Sequence, residues 1–205
     1  MKTSSSKVNL IAGLGNPGAE YTNTRHNVGY MVIGHWAKSL GVRLSGRRFH
    51  SANIQTKYHD KDIILLRPKT YMNRSGKAVK ACVDFYGLGP EDILVVHDDI
   101  DLTLGRVKMV RDGGPGGHKG VRSLIQGLGT RAFCRVKVGV GRPPTGENVE
   151  DYVLGTFRTG EKDIVQEVIK GAVLACELFV SNGVEAAMNK INCQYYANQM
   201  KEVEI

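Results

Sequence analysis

The sequence contains no apolar run approaching the ~18 residues that a membrane-spanning helix needs. Its first residues, Met1 to Ser6, carry no apolar signal-peptide core. Cysteine is scarce. Cys82, Cys134, Cys176 and Cys193 lie far apart and make no C-x-x-C pair. That argues against a zinc site or a disulfide framework, and fits reduced, mostly buried thiols in a cytoplasmic protein. Proline is sparse too, at 6 of 205 residues, and no Pro/Ser-rich linker divides the chain. No fixed-period repeat or low-complexity block is present. Neither a G-x-S-x-G elbow nor a cysteine in a reactive context occurs, so covalent catalysis has no candidate, and an enzyme built on this chain would use water as the attacking group.

Acidic residues are absent over long stretches. Tyr21 to His59 contains none, against six Lys/Arg. Arg106 to Arg142 contains one, Asp112, against nine Lys/Arg. The formal net charge is +8. Positive charge gathered in this way suggests a phosphate-rich partner, and charge alone fits a generally basic, solvated surface equally well. Glycine is plentiful, 25 of 205 residues, well above the typical ~7%. Excess glycine marks backbone that turns tightly or approaches a ligand closely.

With 41% hydrophobic residues, the chain has enough apolar material for one core, and residues 1–205 are expected to form a single domain. Val8 to Ala12 reads as a strand ended by glycines, and Val28 to Leu40 as a helix stopped by Gly41. Strands follow at Ala52 to Tyr58 and Ile63 to Leu66, then a helix at Ser75 to Phe85. Ile93 to Val96 is a short apolar run of the buried-strand type. Arg106 to Arg111 and Arg135 to Val140 alternate as half-buried strands do. Helices are expected after the glycine-rich loop through Leu128, over Glu161 to Val180, and over Val184 to Asn192. The alternation predicts an α/β fold with a mixed, mainly parallel central sheet and helices on both faces. Ligand sites in such sheets lie beyond the carboxyl ends of the strands.

Four loops at such ends carry chemistry. Gly13-Leu14-Gly15-Asn16-Pro17-Gly18 matches a dinucleotide fingerprint, but the polar Ala19 to Arg25 does not continue it as a helix. No ribose-binding acid occurs between Glu20 and Asp60, which leaves Arg47 or Arg48 to serve a phosphorylated dinucleotide. Tyr71 to Lys77 ends in Ser-Gly-Lys but lacks the first glycine and the final Ser/Thr of a P-loop. Within it, Asn73 suits a peptide amide or a water, or serves as a helix cap. His97-Asp98-Asp99-Ile100-Asp101 reads as a Mg²⁺ site, as a histidine-orienting carboxylate, or as an exposed turn. Gly113 to Gly120, with His118, offers backbone N–H groups to an anion or carbonyl. Of the six histidines, His26, His97 and His118 sit in such loops.

Taken together, these loops resemble the bacterial-type peptidyl-tRNA hydrolases. The matching segments are the Gly13–Gly18 loop with Tyr21, then Thr24-Arg25-His26-Asn27, then Tyr71-Met72-Asn73 with Ser75-Gly76, then His97-Asp98-Asp99 with Asp101, and finally the Gly113–Gly120 loop. The resemblance implies a monomer that hydrolyses the ester between a peptide and the tRNA 3′ ribose and frees tRNA after aborted translation. It implies no metal and no organic cofactor. It assigns His26 as general base, Asp98 as the residue that holds its ring, and Asn16 and Asn73 as substrate-binding amides. Tyr21 and Tyr71 would border the cleft, and Lys137, with Lys108 or Arg135, would clamp a tRNA phosphate. The chain departs from the family at Lys119, where asparagine is common, and at Pro115. The altered Lys119 and the basic surface also suit an RNA-binding module without turnover, and the glycine loop alone a nucleotide-dependent oxidoreductase.

Overall fold

The computed structural model describes residues 8–196. The first strand, β1 (Asn9–Gly13), is apolar because it is covered on both sides. Helix α1 (Val28–Ser39) follows after two short 3-10 turns, then the hairpin β2 (Ser51–Tyr58) and β3 (Lys61–Pro68). Next come α2 (Ser75–Tyr86), β4 (Ile93–Asp99), β5 (Val107–Val110), α3 (Lys119–Leu128) and β6 (Cys134–Gly139). The chain continues through α4 (Val149–Leu154), α5 (Lys162–Asn182) and α6 (Val184–Ile191).

The sheet order is β2-β3-β1-β4-β6-β5. The four inner strands are parallel, and β2 and β5 run antiparallel at the edges. This is the mixed, mainly parallel sheet that the alternation of elements predicts. Helices α1 and α5 cover one face, where Ile11, Leu94, Val96, Val136 and Trp36 are buried. Helices α2 and α3 cover the other, over Leu10, Ala12, Ile93, Val95 and Leu124. Each fully buried Leu or Ile contributes roughly 1.5–3 kcal/mol, so neighbouring positions of one strand stabilise two different layers.

Two glycines set how closely α1 approaches the sheet. A Cβ on Gly29 would come 2.6 Å from the backbone N and O of Leu14 and closer still to the Val96 carbonyl oxygen. A Cβ on Gly15 would strike the Tyr30 ring at 2.6 Å. The glycine motif after β1 thus lets a helix lie against two strands. The Leu14 N–H donates to the Val96 oxygen at 2.9 Å, which ties the end of β1 to β4.

At the other edge, Asn192 clasps β5. Its Oδ1 accepts from the Met109 N–H at 2.7 Å and its Nδ2 donates to the Met109 oxygen at 3.0 Å. None of the described helices is long and apolar enough to cross a membrane.

Candidate active site

The loops after β1, β3, β4 and β5 meet beyond the carboxyl ends of the strands around a cleft of about 860 Å³. His26, in a 3-10 turn leading into α1, is buried there. Its Nδ1 donates to the Asp98 carboxylate, 2.9 Å from each oxygen. A carboxylate can only accept, so Nδ1 carries the proton and Nε2 keeps a lone pair. Burial disfavours the imidazolium, but the charge and hydrogen bond of Asp98 outweigh it and raise the His26 pKa above its ordinary value. Lys119 acts in the opposite sense and Glu150 in the same sense as Asp98. Asp98 is itself buried. Burial raises its pKa, but the two neighbouring histidines hold it well below the usual carboxylate range.

The second of these histidines is His118. Its Nε2 donates to Asp98 Oδ1 at 2.9 Å, and its Nδ1 accepts from the N–H groups of Gly120 and Val121 at 3.1 and 3.2 Å. His118 therefore caps α3 and steadies Asp98 at once. The helix N-terminus is consequently occupied by a side chain of the protein, and the N–H groups expected to meet a ligand are partly used. His26, Asp98 and His118 have ligand-type atoms within 4.8 Å of one another. A cation there would need His118 Nε2 deprotonated, which moves its proton onto Nδ1 and against two N–H donors. The cap thus opposes a metal at this spot.

His97 lines the same cleft, with its ring edge-on to that of His118 and the centroids 4.8 Å apart. Its Nδ1 donates to the Asp98 carbonyl at 2.7 Å. Burial, followed by His118, pushes its pKa well down. The three carboxylates at and just past the end of β4 diverge: Asp98 faces the histidines, Asp99 pairs with Lys137, and Asp101 pairs with Arg142. A shared Mg²⁺ site is not what they form. Burial pushes the Cys82 and Cys134 thiols up to about 12 and about 11, far from nucleophilic thiolates.

Asn16 is fixed on three sides. Its N–H donates to Asn27 Oδ1 at 2.8 Å, its carbonyl accepts from Asn27 Nδ2 at 3.0 Å, and its Oδ1 accepts from the Met72 N–H at 2.8 Å. The Nδ2 amide N–H groups remain as donors for a ligand in the cleft that Asn16 lines. Asn73 lines the same cleft, exposed, in a 3-10 turn before α2; it is not the cap of that helix, a place taken by Arg74. Tyr21 and Tyr71 border the cleft, with Tyr71 59% exposed. Lys119 lines it and pairs with Glu150 of α4 at 2.7 Å.

Among the expected phosphate contacts, Lys137 lines the cleft in its pair with Asp99, while Lys108 lies opposite it in the β5–β6 register, exposed and outside the cleft. Arg135 is 3% exposed and donates Nη1 to the Gly114 carbonyl at 2.9 Å. Its side chain supports the glycine loop from below. Sequence reasoning gave Asn27 no role of its own, and missed the His118–Asp98 bond and α4 with Glu150. The only advance sign of α4 is Asn148, whose Oδ1 accepts from the N–H groups of Glu150 and Asp151.

Fold and centre define an α/β enzyme built around a carboxylate-held histidine, with amides and cations along one cleft. The family model described as Peptidyl-tRNA hydrolase matches residues 10–202, and the chain belongs to this family. It is 44% identical over 184 residues to the peptidyl-tRNA hydrolase of Moorella thermoacetica, covering 89% of this chain and 97% of that protein. With the Bacillus subtilis peptidyl-tRNA hydrolase it is 42% identical over 185 residues, covering 90% and 98%. The crystal structure of the Acinetobacter baumannii peptidyl-tRNA hydrolase superposes with a TM-score of 0.86 at 36% identity, covering 94% of this chain and 98% of that one.

Proposed function

We propose that the chain hydrolyses the ester between an N-blocked peptide and the 3′ ribose of tRNA, with His26 as general base. The observation that carries this reading is the His26–Asp98 contact at 2.9 Å inside the cleft shared with Asn16 and Asn73. Water donates a proton to His26 Nε2 and its oxygen bonds to the acyl carbon. Asp98 stabilises the imidazolium that forms, without taking the proton. As the tetrahedral centre collapses, the bond to the ribose 3′ oxygen breaks and that oxygen takes the proton from Nε2. The Asn16 Nδ2 amide N–H donates to an oxygen or amide of the substrate, and Asn73, with both donor and acceptor, binds the peptide.

No step requires a metal or an organic cofactor. Lys137 meets a tRNA phosphate by exchanging Asp99 for it, and Lys108 extends the positive field beyond the cleft. Lys119 adds a donor and a charge on the Glu150 side. In this reading residues 1–205 belong to a single domain that works as a monomer in the cytoplasm.

The test is release of labelled amino acid from N-acetylated aminoacyl-tRNA. The wild type is expected to release it and His26→Ala to lose about 10²–10⁴-fold in rate. Equal rates for the two would end this assignment, and RNA binding without turnover would favour a binding module.

A further inference from the structure

Beside the main cleft lies a second recess, of about 260 Å³, and the two share Asn16 as a wall. Two cations line the recess, Arg67 and Lys69, and no carboxylate does. Arg67 stands on β3 with its guanidinium 5.5 Å from the centre of the Tyr30 ring and over Gly34, where a Cβ would come 3.5 Å from Nη1. It is about half-buried, and among the described residues it has no carboxylate or carbonyl acceptor. Tyr30 also lines the recess, and its hydroxyl is buried without a hydrogen-bond partner. The phenol is held out of bulk water with no acceptor, and the guanidinium fronts the recess with none among the described residues, so both are donors in want of one. Burial pushes the Tyr30 phenol up to about 12, so it keeps its proton and can donate. The recess is lined by Asn16 to Gly18, by Thr22, Asn27, Tyr30 and Ala52, and by the end of β3, and of these residues Asn16 alone also lines the ester-hydrolysing cleft.

We propose that this recess seats a backbone phosphate of the single-stranded 3′ end of tRNA, through Arg67, Lys69 and the Tyr30 hydroxyl. The inference rests on the reading of the cleft as an acyl-tRNA esterase. Only a few bonds separate the ester oxygen on a terminal ribose from that nucleotide's own phosphorus. An ester held at His26 and Asn16 therefore brings a phosphodiester close by, and the recess on the far side of Asn16 is positive. An arginine fork binds phosphate oxygens bidentately, and lysine adds a point charge. β3, which carries Arg67, and β6, which carries Lys137, are separated by β1 and β4. Three strand spacings amount to roughly 14 Å, a gap that a few unpaired nucleotides can bridge between the two cationic points. Glu20 lies against Gly18 at the rim, with its carboxylate 2.5 Å from where a Gly18 Cβ would be, and it opposes an incoming anion.

The experiment measures binding of the unacylated trinucleotide pCpCpA by titration calorimetry, with adenosine as the phosphate-free comparison. Arg67→Gln is expected to weaken pCpCpA binding about tenfold and Lys69→Gln severalfold, with a shallower salt dependence in both. Glu20→Gln is expected to tighten it, and adenosine affinity is expected to change far less than trinucleotide affinity in each variant. Lys69 is exposed, so its variant tests the proposal even where loss of Arg67 disturbs packing. Trinucleotide affinities within twofold of the wild type in both variants, or a wild type that does not bind pCpCpA, overturn the proposal. Competition by an acidic N-acetyl dipeptide without competition by pCpCpA assigns the recess to the peptide and likewise overturns it. Binding is read without turnover, so a failure here is distinct from a failure to hydrolyse acyl-tRNA.

Discussion

The Lys119 ammonium meets the Glu150 carboxylate at 2.7 Å on the wall of the cleft, joining the first residue of α3 to α4. The two partners act on the His26 proton in opposite senses: Lys119 lowers its pKa and Glu150 raises it. Both are more than half exposed, so their influence is screened by salt.

This pair gives a pH prediction with a sign. The proposed base is neutral His26, and its pKa is raised by Asp98 against the cost of burial. The acidic limb of kcat/KM should therefore fall above the ordinary histidine value of ~6.5. Lys119→Gln removes a neighbour that lowers the pKa and moves the limb to higher pH. Glu150→Gln moves it to lower pH. Rate profiles from pH 5 to 9, measured at low and high salt, check this. Shifts in the same direction for both variants would refute the electrostatic account.

His118 predicts a split between stability and rate. His118→Ala loses the α3 cap and a partner of Asp98, and is expected to cost about 1–3 kcal/mol of stability. His118→Asn keeps a capping oxygen but is too short for the bond to Asp98. It should regain much of the stability in thermal melts while kcat stays several-fold low. Full recovery of kcat in the asparagine variant would show that the Asp98 bond has no positioning role.

Lys137 and Asp99 form an internal ion pair with the carboxylate 9% exposed. Lys137→Ala is expected to weaken tRNA binding and lower the slope of log affinity against log salt by about one. Asp99→Asn releases the lysine and is expected to tighten binding. Filter binding across a salt series measures both. Loss of affinity in Asp99→Asn would count against the exchange of carboxylate for phosphate.

Gly29→Ala tests the close seat of α1. Its Cβ would press on Leu14 and on the Val96 carbonyl, all of them backbone. Overpacking of this kind costs typically ~1–3 kcal/mol, and because the shift reaches both His26 and Asp98, activity should fall further than stability alone predicts. Urea unfolding and initial rates, compared on one preparation, decide it.

Much of this architecture is legible from residue order. The apolar runs of β1 and β4, the stops at Gly87 and Gly129 in left-handed conformation, and the long apolar spacing of α5 all announce themselves locally. The α4 helix does not, because it is only six residues long and its one local cue is a polar cap. Arg135 shows the other limit. The alternation of Val136 and Val138 suggests a half-buried strand with Arg135 outward. The sheet is covered on both faces, so outward for β6 means beneath the glycine loop. The union of His118 with Asp98 spans 20 residues and depends on how that loop folds over β4, which no spacing rule encodes.

The clasp of Asn192 on Met109 has a consequence for association. A bare margin of β5 would offer its main chain to a strand from another molecule. The carboxamide satisfies both main-chain groups of Met109, and Arg106 holds the carbonyls of Asn192 and Gln194 beside it. A seam closed in this way resists templated growth into fibrils. Replacing a single amide, as in Asn192→Ala, should reopen it and show as time-dependent turbidity under mild warming.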